Sequence, residues 1–231
     1  MKKFFIVITV FLLSGTICFA DELNLETEAK YQKKVMEIGF KILNANRIEK
    51  RVTFHYITEK TPNAYAYSPS KAVVIHKGLL PYLDNEDELA GVIGHEIAHN
   101  MDFYEGYFRK VAMMFAPKKY EKKADTRAVD YLVKAGYNPV AMIIALNKIT
   151  AEPTSWLITS NTHPAGSERL AYIYEYIFKK YPAYLVDNDY KKNIYYQNFL
   201  LTSKEDRQEI RKEFEENKRE KQKEKIGKND L

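Results

Sequence analysis

Residues 95–99 read His-Glu-Ile-Ala-His. Two imidazoles four positions apart, with a carboxylate beside the first, are what a protein needs to hold a metal ion and activate water on it. Each residue of an α-helix advances about 100° and 1.5 Å, so His95 and His99 share one face and can reach one ion. Glu96 projects beside that face, where it can accept a proton from water without occupying the metal. The competing reading is a satisfied histidine pair on an ordinary core helix.

Catalytic zinc normally takes three protein ligands and leaves a fourth position open. The only cysteine is Cys18, in the N-terminal apolar segment, so the remaining chain offers nitrogen and oxygen donors. Among the acidic residues Glu121 stands out: it begins a helix after Pro117, and Asp125 falls one turn further on the same face. Glu121 can bind the ion while Asp125 accepts a hydrogen bond from the far nitrogen of a ligand imidazole. A solvated helix face is the other reading of that pair.

The elements that must position these groups can be read from caps and periodicity. Asn85 or Asp84 can cap a helix whose first turn carries Glu86, Asp87 and Glu88, with Leu89, Val92, Ile93, Glu96, Ile97 and Asn100 at helical spacing. Gly91, Gly94 and Ala98 keep part of its surface narrow enough for close packing. An amphipathic helix is expected over 26–46, packed over the His-Glu-Ile-Ala-His helix. Alternation predicts strands over 51–57, 64–67 and 72–75, forming a small antiparallel sheet. Pro117 opens a helix over 118–135 with Gly136 as its C-cap, Asn138-Pro139 starts another to 151, and Ser167 caps a third reaching Lys180. Segment 203–226 is almost all charged, with few apolar anchors such as Ile210 and Phe214, and reads as a solvated helix. The fold class expected is α+β, mostly helical. His55 and His76 read as structural or surface residues.

Lys2 and Lys3 precede the apolar run Phe4 to Leu13, and Cys18-Phe19-Ala20 ends in the small residues that a signal peptidase accepts. Residues 1–20 are therefore expected to be a signal peptide, with a single transmembrane anchor and lipidation at Cys18 as the lesser alternatives, and the protein to be exported to the periplasm or beyond. The division expected is 1–20 leader, 21–190 catalytic domain and 191–231 C-terminal extension. The net charge of +5 falls by two when Lys2 and Lys3 leave, too little and too interspersed to suggest nucleic acid.

The segment Gly94-His-Glu-Ile-Ala-His99, preceded by Asp87-Glu-Leu-Ala90 and followed by Glu121-Lys-Lys-Ala-Asp125, resembles the gluzincin peptidases of the HtpX and CAAX prenyl protease type, family 48 of the metallopeptidases. Asn63-Ala-Tyr-Ala66, Ala135-Gly-Tyr-Asn-Pro139 and Thr162-His-Pro164 followed by Arg169 extend the resemblance over about residues 63–172. It implies a zincin-like catalytic domain with one zinc per chain on His95, His99 and Glu121. It also implies that Asn63 and Ala64 lie on a cleft edge strand that binds substrate as an added strand. His163 and Arg169 would face the cleft, with His163 donating to the oxyanion. The chain departs from those membrane enzymes in lacking their transmembrane helices, and resembles small secreted periplasmic members. The function expected is a zinc metalloendopeptidase acting on extended or misfolded envelope proteins, with peripheral contact to the envelope membrane or its assembly machinery. The alternative is a chaperone or assembly factor that uses the same cleft and cleaves rarely.

Overall fold

The computed structural model describes residues 25–106, 116–151 and 166–229. In chain order these form helix α1 (residues 25–45), strands β1 (Thr53–Ile57), β2 (Ala64–Tyr67) and β3 (Ala72–His76), then a 3₁₀ stretch over Lys77–Tyr82. Helices α2 (Glu86–Phe103), α3 (Pro117–Lys134), α4 (Val140–Ala151) and α5 (Ser167–Lys180) follow, then α6 (Ala183–Val186), α7 (Ile194–Thr202) and α8 (Lys204–Asn229). The α+β, mostly helical class is the one expected. No described helix is long and apolar enough to cross a membrane. The expected leader over residues 1–20 lies outside the described residues.

The sheet is small and mixed, not antiparallel throughout. Its order is β1-β3-β2, with β1 parallel and β2 antiparallel to β3. The cause lies in β3, whose five residues are all buried, whereas β1 alternates and β2 is half-exposed. The most apolar strand takes the centre, so the chain runs from one edge to the other and returns between them. Alternation reveals a strand and its buried face but not its neighbour.

The two sheet edges differ. Along β1, Gln32 of α1 donates to Phe54 O at 3.0 Å and accepts from Tyr56 N at 2.7 Å, so the helix covers main-chain groups that β3 does not use. Gly39 lets α1 approach this closely, since a Cβ there would fall 2.4 Å from the Phe54 ring. Val35, Ile38 and Ile42 of α1 join Leu89 and Ile93 of α2 in one buried cluster, and just past the end of α1 Asn46 Nδ2 donates to Tyr131 O of α3 at 3.0 Å. Along β2 no described strand adds to the outer edge.

Helix α2 runs through the core between the sheet, α3 and α4. Asn85 is its N-cap, its side chain accepting from Glu88 N at 3.0 Å, and the three acidic residues of the first turn face the positive end of the helix dipole. Gly94 lies against Ala128 and Leu132 of α3, and Gly91 against Met142 of α4, so the small residues mark the two helix crossings. Asn100 Nδ2 donates to Ala72 O at 3.1 Å and pins the far end of α2 to β3. Helix α3 opens on Pro117 at its first turn, and Gly136 takes the left-handed conformation (φ 75°) just beyond its end. Ser167 is the first residue of α5 and makes no capping hydrogen bond; Gly166 stands at the N-cap instead. Tyr190, Tyr196 and Phe199 join the same buried core as α1 to α5.

Candidate metal centre and cleft

His95 and His99 project from the middle of α2 and Glu121 from the first turns of α3, and all three are buried. His95 Nε2 lies 3.0 Å from His99 Nε2 and 3.5 Å from Glu121 Oε2, and His99 Nε2 lies 3.1 Å from Glu121 Oε1. Ligand atoms bound tetrahedrally at about 2.0–2.1 Å stand roughly 3.3 Å apart, so these separations bracket the edges of such a cage. Two nitrogens and one carboxylate oxygen also suit zinc chemically. Among the described residues this is the one cluster of three or more histidine, cysteine or acidic side chains that can hold a metal ion.

Behind the ligands sits a second layer. His95 Nδ1 donates to Asp125 Oδ1 at 2.9 Å, which leaves Nε2 to face the cluster. Arg169, from α5, grips Asp125 with two hydrogen bonds of 2.8 Å and reaches Glu121 Oε2 at 3.2 Å. Its guanidinium is thus held by the carboxylates around the ligands, although one edge of Arg169 also lines the cleft. Arg169 thus faces the cleft, as expected, and also braces Asp125 and Glu121 behind the ligands.

The charges of this layer hold each other in place. Burial alone would raise the Asp125 carboxyl, but the charge and hydrogen bonds of Arg169, with those of His95, bring it down to about 2. For His95, burial and the Arg169 charge push downward, but hydrogen bonds to Asp125 and Glu121 prevail and lift it to about 10. His99 is lowered, first by burial and then by the charge of His95. Arg169 loses by burial and gains more from Asp125, ending above its ordinary value.

One side of the cluster opens into a cleft. His95, Glu96 and Arg169 line it together with Asn63 and Ala64 at the start of β2. Its opposite wall is α4, through Met142, Ala145, Leu146 and Ile149. The register fixes how β2 presents its backbone. Asn63 O accepts from His76 N at 3.0 Å, so that pair is hydrogen-bonded and the next, Ala64 with Ile75, is not. By the same alternation Ala64 and Ala66 turn their N–H and C=O groups outward, along the edge without a neighbouring strand.

His163 lies outside the described residues, as does Thr162-His-Pro164. His55 is exposed beside Thr53, and His76 is buried in β3 with Nδ1 3.1 Å from Thr61 O; neither belongs to the cluster. Sequence reasoning missed the α4 wall. Helix α4 is apolar nearly all round, so no stripe marks which side meets a cleft and which meets the core.

Residues 28–103 match the sequence profile described as Peptidase family M48. That stretch contains His95, Glu96 and His99 and stops short of Glu121. A Beta-barrel assembly-enhancing protease of Yersinia pestis is 40% identical over 175 residues, covering 56% of this chain and 35% of that protein. The Mitochondrial metalloendopeptidase OMA1 of Schizosaccharomyces pombe is 37% identical over 79 residues, covering 34% of this chain and 19% of that protein. The Beta-barrel assembly-enhancing protease of Shigella flexneri is 24% identical over 183 residues, covering 59% of this chain and 37% of that protein. The chain thus spans about a third, or less, of the length of these relatives.

Proposed function

We propose that this chain, a member of peptidase family M48, is a zinc-dependent metalloendopeptidase that cleaves extended or misfolded polypeptides of the cell envelope. The observation that carries the reading is the buried His95, His99 and Glu121 cluster, spaced for a tetrahedral ion, with Glu96 beside it on the wall of a cleft. One ion per chain would be held there, and zinc when bound polarises a carbonyl and lowers the pKa of a water to about 7.

The chain's own groups supply the rest. Glu96 takes the proton of the attacking water and delivers it to the departing amine. Asp125 holds His95 by Nδ1, and Arg169 holds Asp125 and Glu121, so the ligands are oriented before substrate arrives. Ala64 and Ala66 offer outward main-chain groups to which an extended segment adds as a strand, selecting unfolded polypeptide over folded protein. The α4 wall receives an apolar side chain. His163 is assigned the oxyanion contact. Among the described residues no terminus-binding group stands out, which favours internal cleavage. Export after loss of residues 1–20 belongs to the same proposal, as does peripheral contact with envelope membrane or assembly machinery. Two relatives carry beta-barrel assembly in their names, which supports an envelope client.

The test is to incubate the zinc-loaded protein with casein and with unfolded envelope proteins, beside Glu96→Gln and a chelator control, and to identify fragments by mass spectrometry. Fragments that need both zinc and Glu96 are expected. Client binding and assembly retained by Glu96→Gln, without wild-type cleavage, would favour the chaperone reading instead. Failure of the purified protein to bind zinc would end the catalytic proposal.

A further inference from the structure

We propose that a furrow running from the metal centre, past the start of α3, to the C-terminal helix is a docking groove for an acidic, extended stretch of the polypeptide substrate. The proposal rests on the peptidase reading and adds a substrate class to it.

The first observation is a misplaced charge. Lys118, Lys119, Lys122 and Lys123 crowd the opening turns of α3, whose first turn holds no acidic residue. Cations at the positive end of a helix dipole cost about 0.3–1 kcal/mol each, so these lysines do not serve the helix. The second is continuity with the site. A hollow beside Glu121 and Arg169 is walled by Lys118, Lys122 and Glu168. The next hollow shares those two lysines and reaches Tyr172. A third shares Tyr172 and runs between α5 and α8, over Tyr176 and Phe214, with Lys179 and Lys218 on its sides.

The charge along this path is only partly cancelled, Glu213 of α8 adding one negative charge near Tyr172. Glu168 serves both Lys122, at 2.9 Å, and Lys118, at 3.6 Å; Asp130 takes Lys180 at 2.8 Å. Lys123 belongs to Asp102. Among the described residues Lys119, Lys179 and Lys218 have no carboxylate partner, and Lys179 instead lies 4.8 Å over the Phe214 ring. The result is a concave strip with aromatic side chains below and excess positive charge at its rims. Acidic residues suit the rims, and a polypeptide backbone with apolar side chains suits the floor. The strip adjoins the metal ligands, where a chain threaded through the cleft must leave or enter, and this favours a polypeptide over a bilayer surface.

The experiment uses the full zinc-loaded chain and two fluorogenic peptides with the same central sequence, flanked on both sides by aspartates in one and by asparagines in the other. Wild type should show the lower KM for the aspartate peptide, and the advantage should vanish at high salt. Lys118→Glu with Lys218→Glu, both at exposed positions, should raise that KM about five- to tenfold while moving the KM of the asparagine peptide far less. Equal treatment of the two peptides by wild type, or an equal effect of the substitutions on both, overturns the groove. Should wild type cleave neither peptide, the peptidase reading fails and the groove is judged on binding alone: anisotropy must show the aspartate peptide bound by Glu96→Gln protein and released by the two lysine substitutions. Loss of cosedimentation with phosphatidylglycerol vesicles in the lysine variant, with peptide KM unchanged, would assign the strip to lipid and overturn the proposal.

Discussion

Asp125 is wholly buried and has both carboxylate oxygens committed, Oδ1 to His95 and Arg169 and Oδ2 to Arg169. Asp125→Asn keeps the shape, halves the acceptor capacity and removes the charge that orients the His95 imidazole. Such partners of metal ligands typically govern affinity by about 10–100-fold, so the variant should bind zinc that much more weakly in a competition titration. Unchanged affinity would show that α2 and α3 orient His95 without Asp125. Glu96→Gln should do the opposite: zinc content stays at the wild-type level while hydrolysis falls by about 10²–10⁴-fold, because the lost group moves protons and binds no metal. Arg169 is the instructive difference at this scale. The family resemblance implied that it faces the cleft, and it does line it, but its pairing with Asp125 spans 44 residues and leaves no trace in local spacing. His95, Glu96 and His99 were legible because their geometry is set within one helical turn.

Elements were legible where they carry their own punctuation and illegible where their place depends on a partner. Asn85, Pro117 and Gly136 mark helix ends by backbone chemistry that acts over a few residues, and the structure puts boundaries there. The centre of the sheet and the α4 wall are tertiary choices among equally apolar segments. One polar clue to α4 was available: Lys148 is the one charged residue in this helix and is 6% exposed. It donates to Glu88 Oε2 at 2.8 Å and Asp84 Oδ2 at 2.5 Å, fastening the cleft wall to the first turn of α2. Burial disfavours its charge, yet the hydrogen bonds to Asp84 and Glu88 keep it above the ordinary lysine range. Lys148→Met should therefore strand the fully buried Glu88 and destabilise the fold by about 3–5 kcal/mol in denaturant titrations. Adding Glu88→Gln should recover a large part of that loss, since the stranded charge is gone. A double variant no more stable than the single one would mean that the link matters by its shape and not by its charge.

At the scale of the molecule, the charged C-terminal segment is less solvated than its composition suggests. Ile210 of α8 is 4% exposed, and Phe214 meets the Tyr172 ring edge-on at 5.3 Å. The firmest link is Arg211, whose Nε and Nη2 each lie 2.8 Å from the Glu175 carboxylate of α5. Glu175 is 1% exposed, so its charge is tolerable only while Arg211 covers it. Helix α5 also supplies Arg169, so the seat of α8 and the support of the metal ligands share one element. Arg211→Gln should leave Glu175 poorly satisfied at a cost of about 1–3 kcal/mol, below the range for a fully enclosed pair because the arginine is half-exposed. Exposed main chain beyond residue 204 should then become the first target of limited proteolysis, ahead of any cut within α2 or α3. If α8 serves only as a seat, zinc affinity will hold at its wild-type value while the tail is lost. The stronger expectation is that affinity falls slightly with undocking, because α5 loses its outer support and Arg169 moves with it. A proteolysis pattern identical to wild type would show that Ile210 and Phe214 hold α8 without the ion pair.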